Sequence, residues 1–270
     1  FSETKDWIIV FNGEVYNNKH LKKEAGYWKQ NDWKGSSDTE VILEFISRYG
    51  FEKTIPKLNG MFAIGAYQKS SKLLWLARDR FGEKPLYYCN GTDGSFLFAS
   101  EAKCFLDWPF FNRVISDNVV KEYFRFGYVP EPLCVYKNAN KVPPGSILRF
   151  KQGEQVKLIK YWDSIENFHT ISKNSYKGSY EDAVYELSFR LNKSVYDRLR
   201  SDVPIGMFLS GGIDSTNIAL SMSHSKININ SFSVGFENFK FDELPFANKI
   251  AKHFSTNHTE IKIDQKECLS

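Results

Sequence analysis

The sequence predicts a mixed α/β protein: an N-terminal α+β part built as a layered β-sandwich, followed by a doubly wound parallel α/β part. Up to residue 163, short apolar runs are separated by Gly, Ser, Asp or Lys, a pattern typical of strands joined by turns. From Tyr180 onwards, strand-like and helix-like segments alternate, which favours βαβ units and a parallel sheet. Residues 164–179 are polar and weakly patterned, and they are predicted to be a linker between domains 1–163 and 180–270.

The composition is that of a soluble globular chain. Of 270 residues, 42 % are apolar and 25 % are charged, which argues against a disordered or collagen-like chain. The net charge of +4 is too small to indicate nucleic-acid binding. No run approaches the ~20 apolar residues of a membrane-spanning helix, so we expect no membrane partner and a cytoplasmic location. The four cysteines form no C-x-x-C pair and no Cys/His cluster, which predicts a reducing compartment and structural thiols.

The first domain is predicted to open with a strand at Trp7–Phe11 that ends in the turn signal Asn12-Gly13-Glu14. A helix over Thr39–Tyr49 follows, because apolar residues recur there at helical spacing after an N-cap candidate at Ser37-Asp38. The remaining predicted elements are strands at Met61–Tyr67, Leu73–Ala77, Leu86–Tyr88, Phe96–Ala99 and Ile147–Phe150 and a short helix at Asp117–Phe126.

The second domain is predicted to begin with an amphipathic helix over Glu181–Arg200. The alternating elements after it are strands at Ile205–Leu209, Ile229–Gly235 and Thr259–Ile263 and helices at Ser215–Ser223 and Glu243–His253.

A glycine loop between the first of these strands and the next helix is the most informative stretch. Gly211 and Gly212 let backbone N–H groups converge on an anion, and the helix N-terminus adds partial positive charge. The hydroxyls of Ser210 and Ser215 can add hydrogen bonds, whereas Asp214 fits an anion site only if a divalent cation bridges it to phosphate. The Gly-Lys-Ser/Thr ending of a Walker loop is absent. The alternative is an ordinary strand–turn–helix in which these residues only turn and cap the chain.

The order strand, S-G-G-x-D-S, helix, strand resembles the pyrophosphate-binding loop of the ATP pyrophosphatase family. The resemblance implies ATP and Mg²⁺ as cofactors, with Asp214 as the metal ligand and with Ser210, Gly211, Gly212 and Ser215 on the phosphates. It also implies that the backbone at Leu209 and Val234 contacts adenine. Asp242-Glu243 begins the next helix as in the family, although favourable charge at a helix N-terminus explains that pair equally well.

The segment Phe11-Asn12-Gly13-Glu14-Val15-Tyr16-Asn17 resembles the F-N-G-E-[IV]-Y-N segment of class II glutamine amidotransferases. Those enzymes release ammonia from glutamine with an N-terminal Cys, and a tetrahedral oxyanion forms. The resemblance implies that the Asn12 side chain and the Gly13 N–H stabilise this oxyanion. It also implies that Glu14 and Asp38 hold the α-amino end of glutamine. For Asp38, a role as helix N-cap is a rival interpretation that the first does not exclude.

Three further segments match the same family and are interpreted as framework. They are Leu58–Ala63, Ala77–Tyr88 and Phe98–Glu101. Within them, a buried ion-pair cluster is expected around Arg78 and Asp79, because an unpaired buried charge would be costly.

Together the two halves resemble asparagine synthetase of the glutamine-hydrolysing type. This resemblance implies glutamine, aspartate and ATP as substrates, a β-aspartyl-AMP intermediate and internal transfer of ammonia. Family members are often dimers, so a homodimer is one expected state. Alternatives are the same chemistry on a sugar acid of surface-polysaccharide biosynthesis and a non-catalytic descendant. A third alternative is a nucleic-acid-modifying pyrophosphatase, but the glutaminase half and the lack of a basic or zinc-binding element argue against it.

Two pieces of the family pattern lie outside this sequence: the N-terminal Cys with the strands after it, and the downstream S-G-x-G-[SA]-D-E segment. We therefore expect the 270 residues to be an internal fragment with neither activity by itself.

Overall fold

The computed structural model describes residues 2, 5–29, 33–201, 203–225, 227–236 and 242–263, with only the backbone described at 27–29. The chain divides into two compact units, Phe1–Asn174 and Ser175–Ser270. The division falls inside the segment predicted as a linker. Across the described ranges, no helix is both long and apolar enough to span a membrane.

The first unit is built on a five-stranded antiparallel sheet, whose strands are β1 (Trp7–Val15), β2 (Gly60–Gln68), β3 (Leu73–Arg78), β7 (Ser146–Phe150) and β8 (Lys157–Lys160). The strand order in this sheet is β1-β2-β3-β7-β8. A second antiparallel sheet in the order β5-β4-β6 contains β4 (Tyr87–Asn90), β5 (Phe96–Ala99) and β6 (Ala139–Lys141). The two sheets bring Ala63 and Leu76 into one core cluster with Leu86, against which Phe98 packs.

Helices cover the first sheet. They are α1 (Asn18–Lys29), α2 (Asp38–Tyr49) and α3 (Phe51–Thr54). In α2, Val41, Ile42, Phe45 and Ile46 are fully buried because they recur at helical spacing, and they form the main core with β1 and β2. Later in the unit come α4 (Asp117–Phe126) and α5 (Ser164–Ser172). Cys89 lies on β4, where burial raises the pKa of its thiol to about 11, as suits a structural cysteine.

The second unit is a three-stranded parallel sheet with helices between its strands. The elements are α6 (Tyr180–Arg198), β9 (Gly206–Phe208), α7 (Ile213–Ser223), β10 (Asn230–Phe236), α8 (Leu244–His253) and β11 (Asn257–Ile263), and the strand order is β11-β10-β9. Its core cluster joins Met207 and Leu209 to Val195, Ala219 and Ala247 from the three helices.

The predicted mixed α/β class is confirmed, with antiparallel sheets in the first unit and a parallel sheet in the second. Within the described part of the second unit, one sheet face is covered, whereas Phe208, Phe232 and Val234 on the other face are exposed. The doubly wound arrangement therefore stays a prediction. The segment predicted as a linker contains α5, which begins because the Asp163 side chain accepts hydrogen bonds from the N–H groups of Ile165 and Glu166.

Candidate active sites

Gly13 lies near the end of β1, which is an edge strand of the five-stranded sheet as described. Its φ is +151°, and a Cβ at this position would lie 2.0 Å from the Met61 carbonyl oxygen and 2.7 Å from the Phe62 Cα. Any larger residue would therefore force β1 away from β2. Glycine is required here because the two backbones approach so closely.

The backbone register leaves the Gly13 N–H without a partner on β2. Gly13 pairs with Phe62, but the Phe62 N–H and C=O both bond Asp79 on the other side of β2. Two residues further along β1, Val15 donates its N–H to Asp38 Oδ2 at 2.9 Å. Because alternate residues of a strand direct their N–H groups to the same side, Gly13 and Val15 both direct their N–H groups away from β2. This side of β1 therefore places a backbone donor next to a carboxylate.

The Asn12 side chain is exposed and is oriented by a contact from the other sheet. Its Nδ2 donates to Ser100 Oγ at 3.1 Å, and Ser100 directly follows β5. Asn12 and Ser100 line a cleft of about 220 Å³ together with Val10, Ala63 and Phe98. The sequence of Phe98–Glu101 predicts a framework segment only, since nothing in its pattern indicates a contact with Asn12.

Asp38 is not the N-cap of α2. The N-cap is Ser37, whose Oγ accepts the Thr39 N–H at 3.2 Å, and Asp38 is the first helical residue. The Asp38 carboxylate is free for a different task because Ser37 supplies the cap. Glu14 is half-buried on β1, where it pairs with Met61. Asn12, Gly13, Glu14 and Asp38 thus come together at the end of β1.

The expected ion-pair cluster around Arg78 and Asp79 needs a correction. Arg78 forms an ion pair with Glu131 at 3.0 Å and donates to the carbonyls of Gly82, Lys84 and Val142. Asp79 instead accepts four backbone N–H groups, and no ion pair to it is present among the described residues. Backbone donors can stabilise a buried carboxylate without a cation, and sequence patterns do not reveal them.

In the second unit, the glycine loop follows β9 and leads into α7. Gly211 has φ +79°, and a Cβ there would lie 2.7 Å from the Ala247 N and the Phe246 Cβ of α8. Gly212 is the N-cap of α7 and caps it without a side chain. A Cβ at Gly212 would meet only Ser210 Oγ, at 3.3 Å. One glycine therefore allows close packing, and the other keeps the helix end accessible.

Two serine hydroxyls frame this helix end. Ser210 Oγ lies 3.0 Å from Ser215 Oγ and accepts the Gly212 N–H at 3.2 Å. The first helical backbone bond here runs from the Thr216 N–H to the Gly212 carbonyl. The three preceding N–H groups, of residues 213–215, have no acceptor in the described part of the chain. Free N–H groups and the helix dipole together favour an anion at this position.

A cleft of about 270 Å³ lies beside this loop at the carboxyl ends of β9 and β10. It is lined by Leu209, Ser210, Val234, Glu243 and Leu244, among others. The structure thus places Leu209, Ser210 and Val234 around one cleft, and it adds Glu243, whose role the sequence left open. Parallel sheets commonly bind ligands at this end of their strands.

Asp214 lies in the first turn of α7 and is exposed. Its carboxylate makes no hydrogen bond or ion pair with the residues that the structure describes. Those residues also contain no group of three or more His, Cys, Asp or Glu side chains that could hold a metal ion. Oxygen ligands suit Mg²⁺, so Asp214 fits as one ligand of an ion that phosphate oxygens would also bind.

By fold and site, the chain is a two-unit α/β protein with a carboxylate-bearing strand edge in one unit and an anion-binding loop in the other. Residues 1–162 match the family model of the glutamine amidotransferase domain, and residues 186–270 match that of asparagine synthase. The chain belongs to the glutamine amidotransferase domain family.

Two curated relatives carry the name of a glutamine-hydrolysing asparagine synthetase. Asparagine synthetase [glutamine-hydrolyzing] 1 of Bacillus subtilis is 35 % identical over 99 % of this chain and 41 % of its own length. Asparagine synthetase [glutamine-hydrolyzing] 3 of the same organism is 31 % identical over 97 % and 44 %. The chain therefore spans less than half the length of these relatives.

One solved structure that aligns with this chain is the glutamine phosphoribosylpyrophosphate amidotransferase from B. subtilis complexed with ADP and GMP. It aligns with 96 % of this chain and 47 % of its own, at 16 % identity and a TM-score of 0.43. A likeness of this degree does not establish a shared fold.

Proposed function

We propose that the full-length protein hydrolyses glutamine and uses the ammonia to convert aspartate to asparagine at the expense of ATP. The observation that carries this proposal is the end of β1, where the Asn12 amide and the Gly13 N–H lie within three residues of Val15, whose N–H bonds the Asp38 carboxylate. The match of residues 186–270 to asparagine synthase supports the second half of the proposal.

The first reaction converts glutamine and water to glutamate and ammonia. A thiolate attacks the amide carbon, and the carbonyl oxygen becomes an oxyanion that needs donors aimed at it. The Asn12 amide and the Gly13 N–H supply two such donors, and Ser100 holds the Asn12 amide in place. Asp38 and Glu14 are carboxylates suited to the α-ammonium group of glutamine. The attacking Cys belongs to the family pattern and is not one of the described residues.

The second reaction has two steps. Aspartate and ATP give β-aspartyl-AMP and pyrophosphate, and ammonia then displaces AMP to form asparagine. We assign Ser210, Gly211, Gly212 and Ser215 to the phosphates, because this loop and the free N–H groups after it favour an anion. We assign the backbone at Leu209 and Val234 to adenine, because both residues line the adjacent cleft. Bound Mg²⁺, with Asp214 as a ligand, would neutralise phosphate charge.

The acceptor is tested directly with the full-length protein. We expect ATP-dependent pyrophosphate release when aspartate is supplied with glutamine or ammonia, and we expect asparagine as the product. A matched reaction contains a uronic acid in place of aspartate. Release of pyrophosphate with the uronic acid and not with aspartate would contradict the proposed acceptor. Release with neither, from a protein that still hydrolyses glutamine, would contradict the second half of the proposal.

A further inference from the structure

The Asp79 carboxylate is completely buried and holds four backbone N–H groups. Its Oδ2 accepts from Phe62 at 3.1 Å and from Lys84 at 3.0 Å. Its Oδ1 accepts from Phe81 at 3.1 Å and from Glu83 at 2.9 Å. A buried carboxylate is costly unless it is hydrogen-bonded, and here every donor is a main-chain group of two segments. Asp79 therefore fixes the β2 backbone at Phe62 relative to the 81–84 turn.

This attachment reaches the candidate oxyanion donor through one residue. Phe62 donates its N–H to the Asp79 carboxylate, and its carbonyl accepts the Asp79 N–H at 2.9 Å. Both backbone polar groups of Phe62 are therefore bonded to Asp79. Gly13 pairs with Phe62 so closely that a Cβ on Gly13 would lie 2.7 Å from the Phe62 Cα. A shift of β2 at Phe62 would therefore shift Gly13 as well, because packed backbones move together.

Arg80 holds the segment of the chain that leads into β2. Its guanidinium donates to the Leu58 carbonyl at 2.8 Å and to the Pro56 carbonyl at 3.0 Å. The next residue, Asn59, accepts the Tyr16 N–H at 2.8 Å and donates its own N–H to Asn17 Oδ1. Arg80 therefore supports the segment to which the end of β1 is bonded.

We propose that Asp79 and Arg80 are positioning residues for the Gly13 N–H in glutamine hydrolysis. Neither side chain is hydrogen-bonded to Gly13, and both act through the backbone of residues 56–62. This inference rests on the proposed function. It assigns to two residues of the framework a specific effect on the step in which the oxyanion forms.

The test uses the full-length protein and the variants D79N, R80M and R80K. An Asn at position 79 retains the shape of the side chain, but its NH₂ group faces backbone N–H groups that the carboxylate accepted. R80M removes the two guanidinium donors to the Leu58 and Pro56 carbonyls and retains most of the side-chain bulk. We expect kcat for glutamine hydrolysis to fall roughly tenfold to a hundredfold, because small displacements of a catalytic donor have such effects. R80K, which keeps a donor, should lose less than R80M.

Two readouts separate positioning from general damage. KM for glutamine should change by no more than about twofold, because a donor used only in the transition state affects kcat. Ammonia-dependent asparagine synthesis should stay at the wild-type rate in the same samples. The control is D93N, since Asp93 also accepts a backbone N–H, that of Ser95, in the β4–β5 turn. This variant should hydrolyse glutamine normally.

An unchanged kcat in R80M, or a raised KM at unchanged kcat, would overturn the inference while leaving the proposed function intact. If D79N does not fold, R80M and R80K decide the question, because the Arg80 side chain is only half-buried. A wild-type protein that does not hydrolyse glutamine would overturn the proposed function and this inference with it.

Discussion

At the scale of single residues, Ser37 and Asp38 divide two tasks that a single residue at a helix start often combines. Ser37 caps α2 through its hydroxyl, and Asp38 accepts the Val15 N–H from the edge of β1. The helix is therefore stabilised without the Asp38 carboxylate, and the carboxylate is held where β1 ends. Because the two side chains are neighbours with separate contacts, substitution of each tests one task alone.

We predict that D38N raises KM for glutamine in the full-length protein by roughly tenfold to a hundredfold. The reason is that an amide cannot form the charge-assisted hydrogen bond with the α-ammonium group that a carboxylate forms, a contact worth about 1.5–3 kcal/mol. The thermal unfolding midpoint should change little, because Asn at this position keeps an acceptor for Val15. Steady-state kinetics with glutamine at fixed pH provide the measurement.

The matched control for this substitution is S37A. Loss of an N-cap hydroxyl typically costs ~1 kcal/mol of stability, so S37A should lower the unfolding midpoint. It should leave KM for glutamine near the wild-type value. If S37A and D38N instead changed KM and stability in parallel, Asp38 would be a structural residue of α2 and not a glutamine contact.

At the scale of elements, the β9–α7 loop combines an unusual backbone conformation with tight packing against α8. Gly211 has a left-handed φ and also has α8 atoms 2.7 Å from its Cβ position. Gly94, in the β4–β5 turn, has a similar φ of +80° but has nothing within 4 Å of its Cβ position. Alanine at Gly94 therefore tests the cost of the left-handed backbone alone, and alanine at Gly211 tests that cost together with a steric clash.

We predict that G94A costs about 1 kcal/mol or somewhat more in stability, which is the penalty of placing a Cβ in the left-handed region. G211A should cost more than G94A, because α8 must also move. It should in addition reduce ATP-dependent pyrophosphate release at least tenfold, since residues 210–215 would be displaced from the helix end. Denaturant unfolding and a pyrophosphate assay measure the two effects. Wild-type pyrophosphate release in a folded G211A variant would contradict the assignment of this loop.

Most elements could be predicted from sequence because their apolar residues recur at a clear period. The helix Asp117–Phe126 has the bounds that the sequence predicts, and α2 differs from its prediction by one residue. The helix α1 was missed, since its sequence N-K-H-L-K-K-E-A-G-Y-W-K offers only Leu21 and Ala25 as described buried positions. The strands β6 and β8 were missed because three or four residues at a sheet edge give little signal.

The motif residues of the candidate sites could be predicted from sequence, whereas the hydrogen bonds that hold these residues in place could not. The resemblance of the Phe11–Asn17 segment and of the Ser210–Ser215 segment to family motifs named the residues that the structure brings together. The contact of Ser100 with Asn12 and the four N–H groups on Asp79 join distant segments. Such bonds depend on backbone geometry, for which neither periodicity nor residue type is a guide. The ion-pair cluster expected around Arg78 and Asp79 is confirmed at Arg78, which pairs with Glu131, and is wrong at Asp79 for this reason.

At the scale of the whole molecule, the two candidate sites lie in separate compact units, each with its own core cluster. Each candidate site is therefore built on a core cluster of its own unit. If the proposed function holds, ammonia is the only substance that links the reactions. Externally supplied ammonia should then replace everything that the first unit contributes.

This separation predicts opposite outcomes for N12A and S210A in the full-length protein. N12A should reduce kcat for glutamine hydrolysis by roughly 10²–10³, the usual effect of removing one oxyanion donor. Ammonia-dependent asparagine synthesis should continue at the wild-type rate. S100A, which frees the Asn12 amide without removing it, should show a smaller loss.

S210A should leave glutamine hydrolysis unchanged and reduce pyrophosphate release by about tenfold or more with either nitrogen source, because a hydrogen bond to a charged group is lost.

The control for S210A lies at the other end of the same helix. Ser223 donates its hydroxyl to the Leu220 carbonyl, so S223A removes an equivalent hydroxyl from α7 without touching the loop. It should retain both activities. Rates of glutamate formation and pyrophosphate release, measured in one sample with glutamine and then with ammonium, give the full comparison. In the proposed scheme the Asn12 side chain serves only the release of ammonia from glutamine. Loss of ammonia-dependent synthesis in a folded N12A variant would therefore show that the first unit contributes more than ammonia.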